Sequence, residues 1–560
     1  MLAEMTIPAA VSERLARLTA DQRAAATAPP GPVLCVAPAG SGKTTTLVAR
    51  IAWLIGSEAA RPECVAAITF NKRAAEELGG RLDAALAPLG VAAGTVRVRT
   101  FHALGREILR DAGHAVEPLM DRATLIRELW LDVTAVEIGR LDTAFSRLKL
   151  DLGVTAAEVE ADPDAGPVAR AFVAYEHAIA ARGGLDFDDL IGRALQALDG
   201  DEALLARWEQ RCSHLLIDEV QDVDRSQLRL ALLLAAPSNR IFLVGDDDQS
   251  IYGWRLADVR RVLALGASLP GLRRVDLQVN HRCPVPVVER AVRLIEHNLE
   301  RFAKVVRPRP DAPGRLILAP DPTDEPARTE RLVRSWPDDD GTQAILARTN
   351  RELRPGVLAA LALGKPFRAP SVDLLVDDPS LDGLLARAAN ETDPRRPLLV
   401  RLAALRRALA TDSTIVPGAT AAERELATAL LAWAPPYADL DALVTAVAAL
   451  RARLGELRRD DARLSLATAH STKGTEFDHV AVVGMEVGRF PSGRAIAESD
   501  EPGRALEEER RLGYVAWTRA RRTLTLSYDP AVPSRFLLEA FSRDELGPDE
   551  GPVALSSSSG

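Results

Sequence analysis

The sequence predicts an α/β protein of two parallel-sheet units, each interrupted by a helical insertion. Three observations carry this. Short apolar runs alternate with helical stretches from residue 33 to 86, and again from about 274 onward. That alternation is the pattern of a mainly parallel sheet covered by helices. Strand signals vanish between Phe101 and His214, where Ala, Leu and Arg recur at helical spacing. They fade a second time from roughly 370 to 460. A chain of 560 residues has room for this, corresponding to roughly three to four domains.

Taken in order, residues 33–37 read as a first strand, a Gly-rich turn follows, and 44–54 read as a helix. Residues 65–70 are a strand before a helix over 72–86, and 96–100, 215–218 and 241–245 complete the first set of strands. The second set is 275–278, 344–347, 464–468, 480–483 and 523–527. Residues 306–341 are rich in Pro and Asp and read as loop. Within the second insertion, 398–410 keeps apolar positions at Leu398, Leu399, Leu402, Leu405 and Leu409, so packed helix is expected there. The tail over 547–560 includes four serines and is expected to be disordered.

Composition excludes several classes. Acidic residues exceed basic ones, 79 to 70, for a net charge of −9, which rules out a histone-like coat of positive charge. A local basic groove remains open, because steering fields depend on where charge sits. Cys35, Cys64, Cys212 and Cys283 are widely spaced, with no C-x-x-C pair, so neither a disulfide framework nor a zinc knuckle is expected. No apolar run approaches a membrane span. The start of the chain carries Glu4 and lacks a basic segment followed by an apolar one, so no signal peptide is expected. These features fit a reducing cytoplasm. The chain holds 6 Lys against 64 Arg, so each lysine is informative: a compact ammonium and a planar guanidinium are not interchangeable. Lys43, Lys72 and Lys473 all fall inside motifs described below.

Residues 37–44 read Ala-Pro-Ala-Gly-Ser-Gly-Lys-Thr, after a strand and before a helix. This is the context of a phosphate-binding loop. Gly40 and Gly42 let backbone N–H groups curl around phosphate oxygens, and the helix N-terminus adds orphan donors and a favourable dipole. Ala39, Gly40, Ser41, Gly42, Lys43, Thr44 and Thr45 are the candidate ATP contacts. Lys43 would reach the β- and γ-phosphates and Thr44 would ligate Mg²⁺. The strict pattern has Gly at position 37, where this chain has Ala37.

A second motif narrows the chemistry. Leu215, Leu216 and Ile217 lead into Asp218 and Glu219. Asp218 can hold the Mg²⁺ shell, and Glu219 can orient and deprotonate an attacking water. A phosphotransferase must exclude water, so a Glu beside the metal-binding Asp favours hydrolysis. Tyr252, Trp254 and Arg255 stand together in a chain with only 4% aromatics. Stacking of a base on such a face is worth about 1–3 kcal/mol and reads no sequence.

With these segments in hand, the chain resembles the UvrD/Rep/PcrA family of superfamily 1 DNA helicases over most of its length. Residues 18–22 look like the glutamine motif, with Gln22 as the adenine reader, and 37–44 match motif I. Residues 69–72 and 100–102 look like motifs Ia and Ib, and 218–222 match motif II. Residues 245–255 are a near-verbatim motif III, 280–282 (Asn-His-Arg) match motif IV, and 470–477 match motif V. Residues 508–512 and 518–520 match motif VI.

The resemblance implies two RecA-like P-loop domains. It implies 1–105 and 206–273 as the ATP-binding domain 1A with 106–205 as insertion 1B. Residues 274–369 and 461–546 would be domain 2A, 370–460 a reduced insertion 2B, and 547–560 the tail. ATP would lie between the two domains, with Gln249 sensing the γ-phosphate and Arg282 and Arg519 reaching from the second domain. Arginines from a second domain make hydrolysis depend on closure, and the closing cycle is the motor stroke. Glu476 and Gly474 would sit near the ribose. The family has Tyr where this chain has His281, a residue that resembles the adenine-stacking one; imidazole stacks with less area and ordinarily titrates near neutral pH. The resemblance also places Phe70 and Trp254 against DNA bases, with His102, Asn350 and His470 near the strand.

The reading is therefore an ATP-dependent 3′-to-5′ DNA helicase acting on single strands and single-strand/duplex junctions, in repair or replication restart. An ATP-switched DNA-binding or accessory protein with little intrinsic unwinding is the alternative. It would be favoured by loss of Glu219, Gln249 or an arginine, all of which are present. A helicase–nuclease of the RecB type would need a nuclease domain after motif VI, and none is expected. The family carries a longer insertion than this chain has between Asn350 and His470. Short-range unwinding is therefore expected unless a protein partner supplies processivity.

Overall fold

Six strands build the first sheet: β1 (Val33–Val36), β2 (Val65–Thr69), β3 (Arg97–Thr100), β4 (His214–Ile217), β5 (Ile241–Gly245) and β6 (Arg273–Asp276). Their order is β3-β2-β4-β5-β1-β6 and every pairing is parallel. A parallel sheet is covered on both faces, so its strands read as unbroken apolar runs. Alternate residues then serve opposite cores. Val33, Cys35, Val65, Ala67, Phe242 and Val244 pack with Leu47 and Ile51 on one face. Leu34, Val36, Ala66, Ile68, Ile241 and Leu243 pack with Leu104, Ile108 and Leu230 on the other.

The computed structural model describes residues 7–130, 133–337, 339–411, 421–546 and 553–556. It divides into two units. The first holds the described residues up to Arg315 together with Arg494–Thr518 and Ser556; the second holds those of Leu316–Gly493 and Arg519–Leu555. In the first unit, the helical stretch between β3 and β4 has a core of its own around Phe145, Phe172 and Tyr175. A short parallel ladder joins β7 (Val279–Asn280) to β8 (Arg307–Pro308).

The second sheet comprises β9 (Arg315–Pro320), β10 (Gln343–Ala347), β11 (Phe367–Arg368), β12 (Leu464–Thr468), β13 (Phe477–Val482), β14 (Ala520–Tyr528) and β15 (Val553–Ser556). Its order is β11-β12-β10-β13-β14-β9-β15. The pairs β11/β12, β12/β10, β10/β13 and β13/β14 are parallel. The helices Leu381–Asn390, Leu398–Thr411, Ala421–Trp433 and Leu440–Leu457 form the second insertion among the described residues. They share one apolar core with this sheet, running from Ile345 and Leu466 to Leu402 and Leu443. Leu398, Leu402, Leu405 and Leu409 are buried as their spacing predicts, whereas Leu399 is left exposed.

Three expectations change. The strand expected at 275–278 in the second unit is β6, shifted to Arg273–Asp276 and paired with β1 in the first sheet. Residues through Arg315, and the helix Pro502–Trp517, also belong to the first unit by their contacts. The stretch 306–341 is not mainly loop, since it contains β9 and the helix Glu325–Ser335. The Asp and Pro that read as loop signals are start signals: Asp324 accepts the Ala327 N–H as N-cap, and Pro326 sits in the first turn. In the expected disordered tail, Val553–Ser556 is a strand, and the rest of 547–560 lies outside the described residues. No helix among the described residues is long and apolar enough to cross a membrane.

Candidate nucleotide and nucleic-acid site

Because the first sheet is parallel, the carboxyl ends of its strands lie along one edge, and loops leaving that edge are where α/β sheets bind ligands. The phosphate loop follows β1, Phe70 follows β2, and His102 lies just past β3. Asp218 and Glu219 follow β4, and residues 246–255 follow β5.

The phosphate loop is held open by backbone that only glycine fits. Gly40 (φ +68°) and Gly42 (φ +83°) are both left-handed. A Cβ on Gly40 would stand 2.7 Å from Asn280 Oδ1, and one on Gly42 would stand 2.6 Å from Gln22 Nε2. Gln22 reaches this point because it closes a capping box with Thr19 at the start of the helix Ala20–Ala26. Its Nε2 donates to the Ser41 carbonyl at 2.8 Å. Lys43, Thr44 and Thr45 form the first turn of the helix Lys43–Gly56. Ser41 Oγ is buried with no protein partner. A buried hydroxyl left over in a loop of this shape fits a phosphate oxygen as its partner.

Motif IV closes the other side of this loop. The His281 N–H donates to the Gly40 carbonyl at 2.9 Å, while Asn280 Oδ1 accepts from the N–H groups of Arg282 and Cys283, both at 2.8 Å. Arg282 Nη1 donates to the Thr518 carbonyl at 3.2 Å. Arg282, expected on a second domain, thus sits in the first unit, against the phosphate loop. Burial lowers the pKa of His281, with Asp21 partly offsetting it and Arg309 adding to it.

The carboxylates form a connected chain. Lys43 Nζ lies 3.6 Å from Glu219 Oε2. Glu219 itself is left-handed (φ +53°), a costly conformation for a residue with a Cβ and one that clusters at functional sites. Gln221 Nε2 donates to Glu219 Oε2 at 2.6 Å, and Gln221 Oε1 accepts the Asp246 N–H at 2.9 Å. Asp246 Oδ2 in turn accepts from Gln249 Nε2 at 2.6 Å. Thr44 and Asp218 are the candidate Mg²⁺ holders. Among the described residues no group of three His, Cys, Asp or Glu side chains makes a metal cage. Mg²⁺ on a nucleotide needs none, because phosphates and water fill most of its shell.

The aromatic residues assemble beside this chain. Phe70 and Tyr252 stack with centroids 4.8 Å apart, and Tyr252 meets Trp254 edge-on at 6.2 Å. The Arg255 guanidinium lies 4.7 Å from the Trp254 ring centroid, and the Trp254 side chain is 52% exposed. Phe70, Trp254 and Arg255 line a cleft of about 590 Å³ that also includes His102, Asp218 and Glu219. Phe187 was not singled out by the sequence, where nothing marks it. It stands edge-on to His102 at 5.7 Å and is 57% exposed in the same cleft. Burial pushes His102 below its ordinary pKa.

In the second unit, Asn350 follows β10 and His470 follows β12, both at carboxyl ends of that sheet. Burial, aided by Arg348, pushes His470 down to about 4. Gly474, Glu476 and Arg519 gather elsewhere, before β13 and β14. There the Phe477 N–H donates to the Arg519 carbonyl at 3.0 Å, and Arg519 Nη1 donates to the Thr475 carbonyl at 3.2 Å. Arg521 lies 3.3 Å from Glu476.

Comparison with known proteins gives a consistent answer. Residues 18–270 match the UvrD/REP helicase N-terminal domain, and residues 429–530 match the UvrD-like helicase C-terminal domain. The chain is 30% identical to DNA helicase II of Escherichia coli, covering 92% of this chain and 85% of that one. It is 31% identical to ATP-dependent DNA helicase UvrD2 of Mycobacterium bovis, over 93% of this chain and 81% of that one. It is 27% identical to ATP-dependent DNA helicase PcrA of Leuconostoc citreum, over 92% and 80%.

Proposed function

This chain belongs to the UvrD/Rep/PcrA-like family of ATP-dependent DNA helicases, and we propose that it moves 3′ to 5′ along single-stranded DNA and opens duplex at single-strand/duplex junctions. Lys43 holds the β- and γ-phosphates, and Thr44 and Asp218 hold Mg²⁺, which neutralises phosphate charge when bound. Glu219 takes the proton of the attacking water, and Gln249 and Arg282 stabilise the charge that develops on the γ-phosphate. Arg519 and Glu476, on the second unit, take the family's arginine and ribose-contacting roles. Trp254, Tyr252, Phe70, Phe187 and Arg255 offer stacking faces to bases, with His102, Asn350 and His470 along the strand.

One observation carries the reading. The run from Asp246 to Arg255 begins in hydrogen bonds that lead back to Glu219 and Lys43, and it ends in the exposed ring of Trp254. Nucleotide-facing and strand-facing groups therefore lie on one short segment, so a change at one end is felt at the other. The brief second insertion favours short-range unwinding by the protein alone, with a protein partner extending it. Work on the chromosome in repair or replication restart, in the cytoplasm, fits such a motor.

A strand-displacement assay tests the polarity. Duplexes with a 3′ single-stranded tail should open in an ATP- and Mg²⁺-dependent manner, and duplexes with a 5′ tail should not. Preference for the 5′ tail would overturn the proposed direction.

A further inference from the structure

Lys304 lies with its side chain fully buried, at 0% exposure, among three consecutive carboxylates. Its Nζ stands 2.9 Å from Asp246 Oδ1 and 2.9 Å from Asp248 Oδ2, and it also donates to Asp247 Oδ1. Arg301 adds two bonds to Asp248 at 2.9 and 2.8 Å, and the Phe302 N–H donates to Asp247 Oδ2 at 2.8 Å. Burial by itself would lower the Lys304 pKa, but the three carboxylates outweigh it and keep the ammonium charged. A buried ion cluster is a poor way to gain stability, since apolar packing of the same volume does as well. What it supplies is a fixed geometry. The two oxygens of Asp246 face different partners: Oδ1 accepts from Lys304 at 2.9 Å and, more weakly, from the Asp248 N–H at 3.2 Å, and Oδ2 accepts from Gln249.

We propose that Lys304 is a positioning residue for ATP turnover, whose ammonium fixes the plane of the Asp246 carboxylate and through it the side-chain amide of Gln249. The inference rests on the reading of Gln249 as a γ-phosphate contact. The choice of lysine follows from size. The chain uses Arg for 64 of its 70 Lys and Arg residues, yet a guanidinium spreads its donors over a planar fork, whereas a compact ammonium lets three carboxylates converge on one nitrogen. The segment 298–304, which carries Arg301 and Lys304, is anchored at its other end: the N–H groups of Leu299 and Glu300 donate to the Glu507 carboxylate at 3.0 and 3.1 Å. Separately, the Gly253 N–H donates to Glu508 Oε1 at 3.0 Å. Residues 298–304 therefore tie the Asp246–Gln249 turn to the helix Pro502–Trp517 within the first unit.

The test is steady-state ATP turnover at saturating single-stranded DNA for the wild type, Lys304→Met, Lys304→Arg, Gln249→Ala and the Lys304→Met/Gln249→Ala double variant, each checked for folding by circular dichroism. Lys304→Met should lower kcat about tenfold or more with KM for ATP nearly unchanged, because misplacing a catalytic contact costs turnover rather than ground-state binding. Combining it with Gln249→Ala should cost little beyond Gln249→Ala alone, since both remove one function. Lys304→Arg should show the same kcat loss, and it serves as the reading if the Met variant fails to fold. Normal kcat in either folded variant, or multiplicative losses in the double variant, would overturn the proposal. Failure of both single variants to fold would overturn it too, leaving Lys304 a structural ion-pair partner. A wild type that hydrolyses no ATP would sink the functional reading itself and this proposal with it, whereas an active wild type beside unaffected variants sinks only the role of Lys304.

Discussion

Lys43→Ala should abolish ATP turnover while leaving the protein folded. Lys43 is the first residue of the helix Lys43–Gly56, beyond the left-handed Gly42, and its side chain keeps 14% of its surface exposed. Its ion pair is Glu219 at 3.6 Å, long enough that losing it removes little packing. On the proposed reading the loss falls on chemistry: a point charge on the β- and γ-phosphates would disappear, and charge stabilisation is the main catalytic device in phosphoryl transfer. A fall in kcat of about a thousandfold is expected. Turnover measured beside a circular dichroism melt checks both halves, and near-normal turnover would remove the phosphate loop from the account.

Glu219→Gln should separate binding from hydrolysis. The variant keeps the size of the side chain and a group able to meet Gln221 Nε2, which donates to Glu219 Oε2 at 2.6 Å in the native protein. Asp218 and Thr44 are untouched, so ATP and Mg²⁺ should bind as before. What is lost, on the proposed reading, is the base, worth about 10²–10⁴ in rate. Nucleotide affinity from a fluorescent analogue, set against single-turnover hydrolysis, shows the split. Lost affinity with hydrolysis in proportion would mean that Glu219 is a ligand and not the base.

Much of this site was legible because its residues lie in short loops directly after strands, where local sequence carries the signal. Strands Ile241–Gly245 and Leu464–Thr468 and the helix Lys72–Leu86 have the bounds that the apolar pattern predicts. What local pattern cannot carry is partnership between distant segments. β6 is half-exposed, and nothing in its four residues says that it pairs with β1, some 240 positions earlier. Arg282 was placed on a second domain by resemblance, yet its neighbour His281 ties it to the phosphate loop through a hydrogen bond from the His281 N–H to the Gly40 carbonyl. Asp246, Asp247 and Asp248 would pass for a solvated acidic turn. Their partners Arg301 and Lys304 are more than fifty positions away. The rarity of lysine was the one clue to Lys304, and it pointed first to the lysines inside motifs. The helix Glu325–Ser335 was hidden for the opposite reason, because Asp324 and Pro326 serve both loops and helix starts.

The central claim is that ATP hydrolysis and single-strand binding are one coupled activity, joined through the run from Asp246 to Arg255. The most direct measurement is ATP turnover by the purified protein with and without single-stranded DNA. Turnover should rise several-fold, about tenfold, on adding the strand. It should stay low when fully duplex DNA without a tail is added instead. Turnover that is equally fast with no DNA would contradict the coupling.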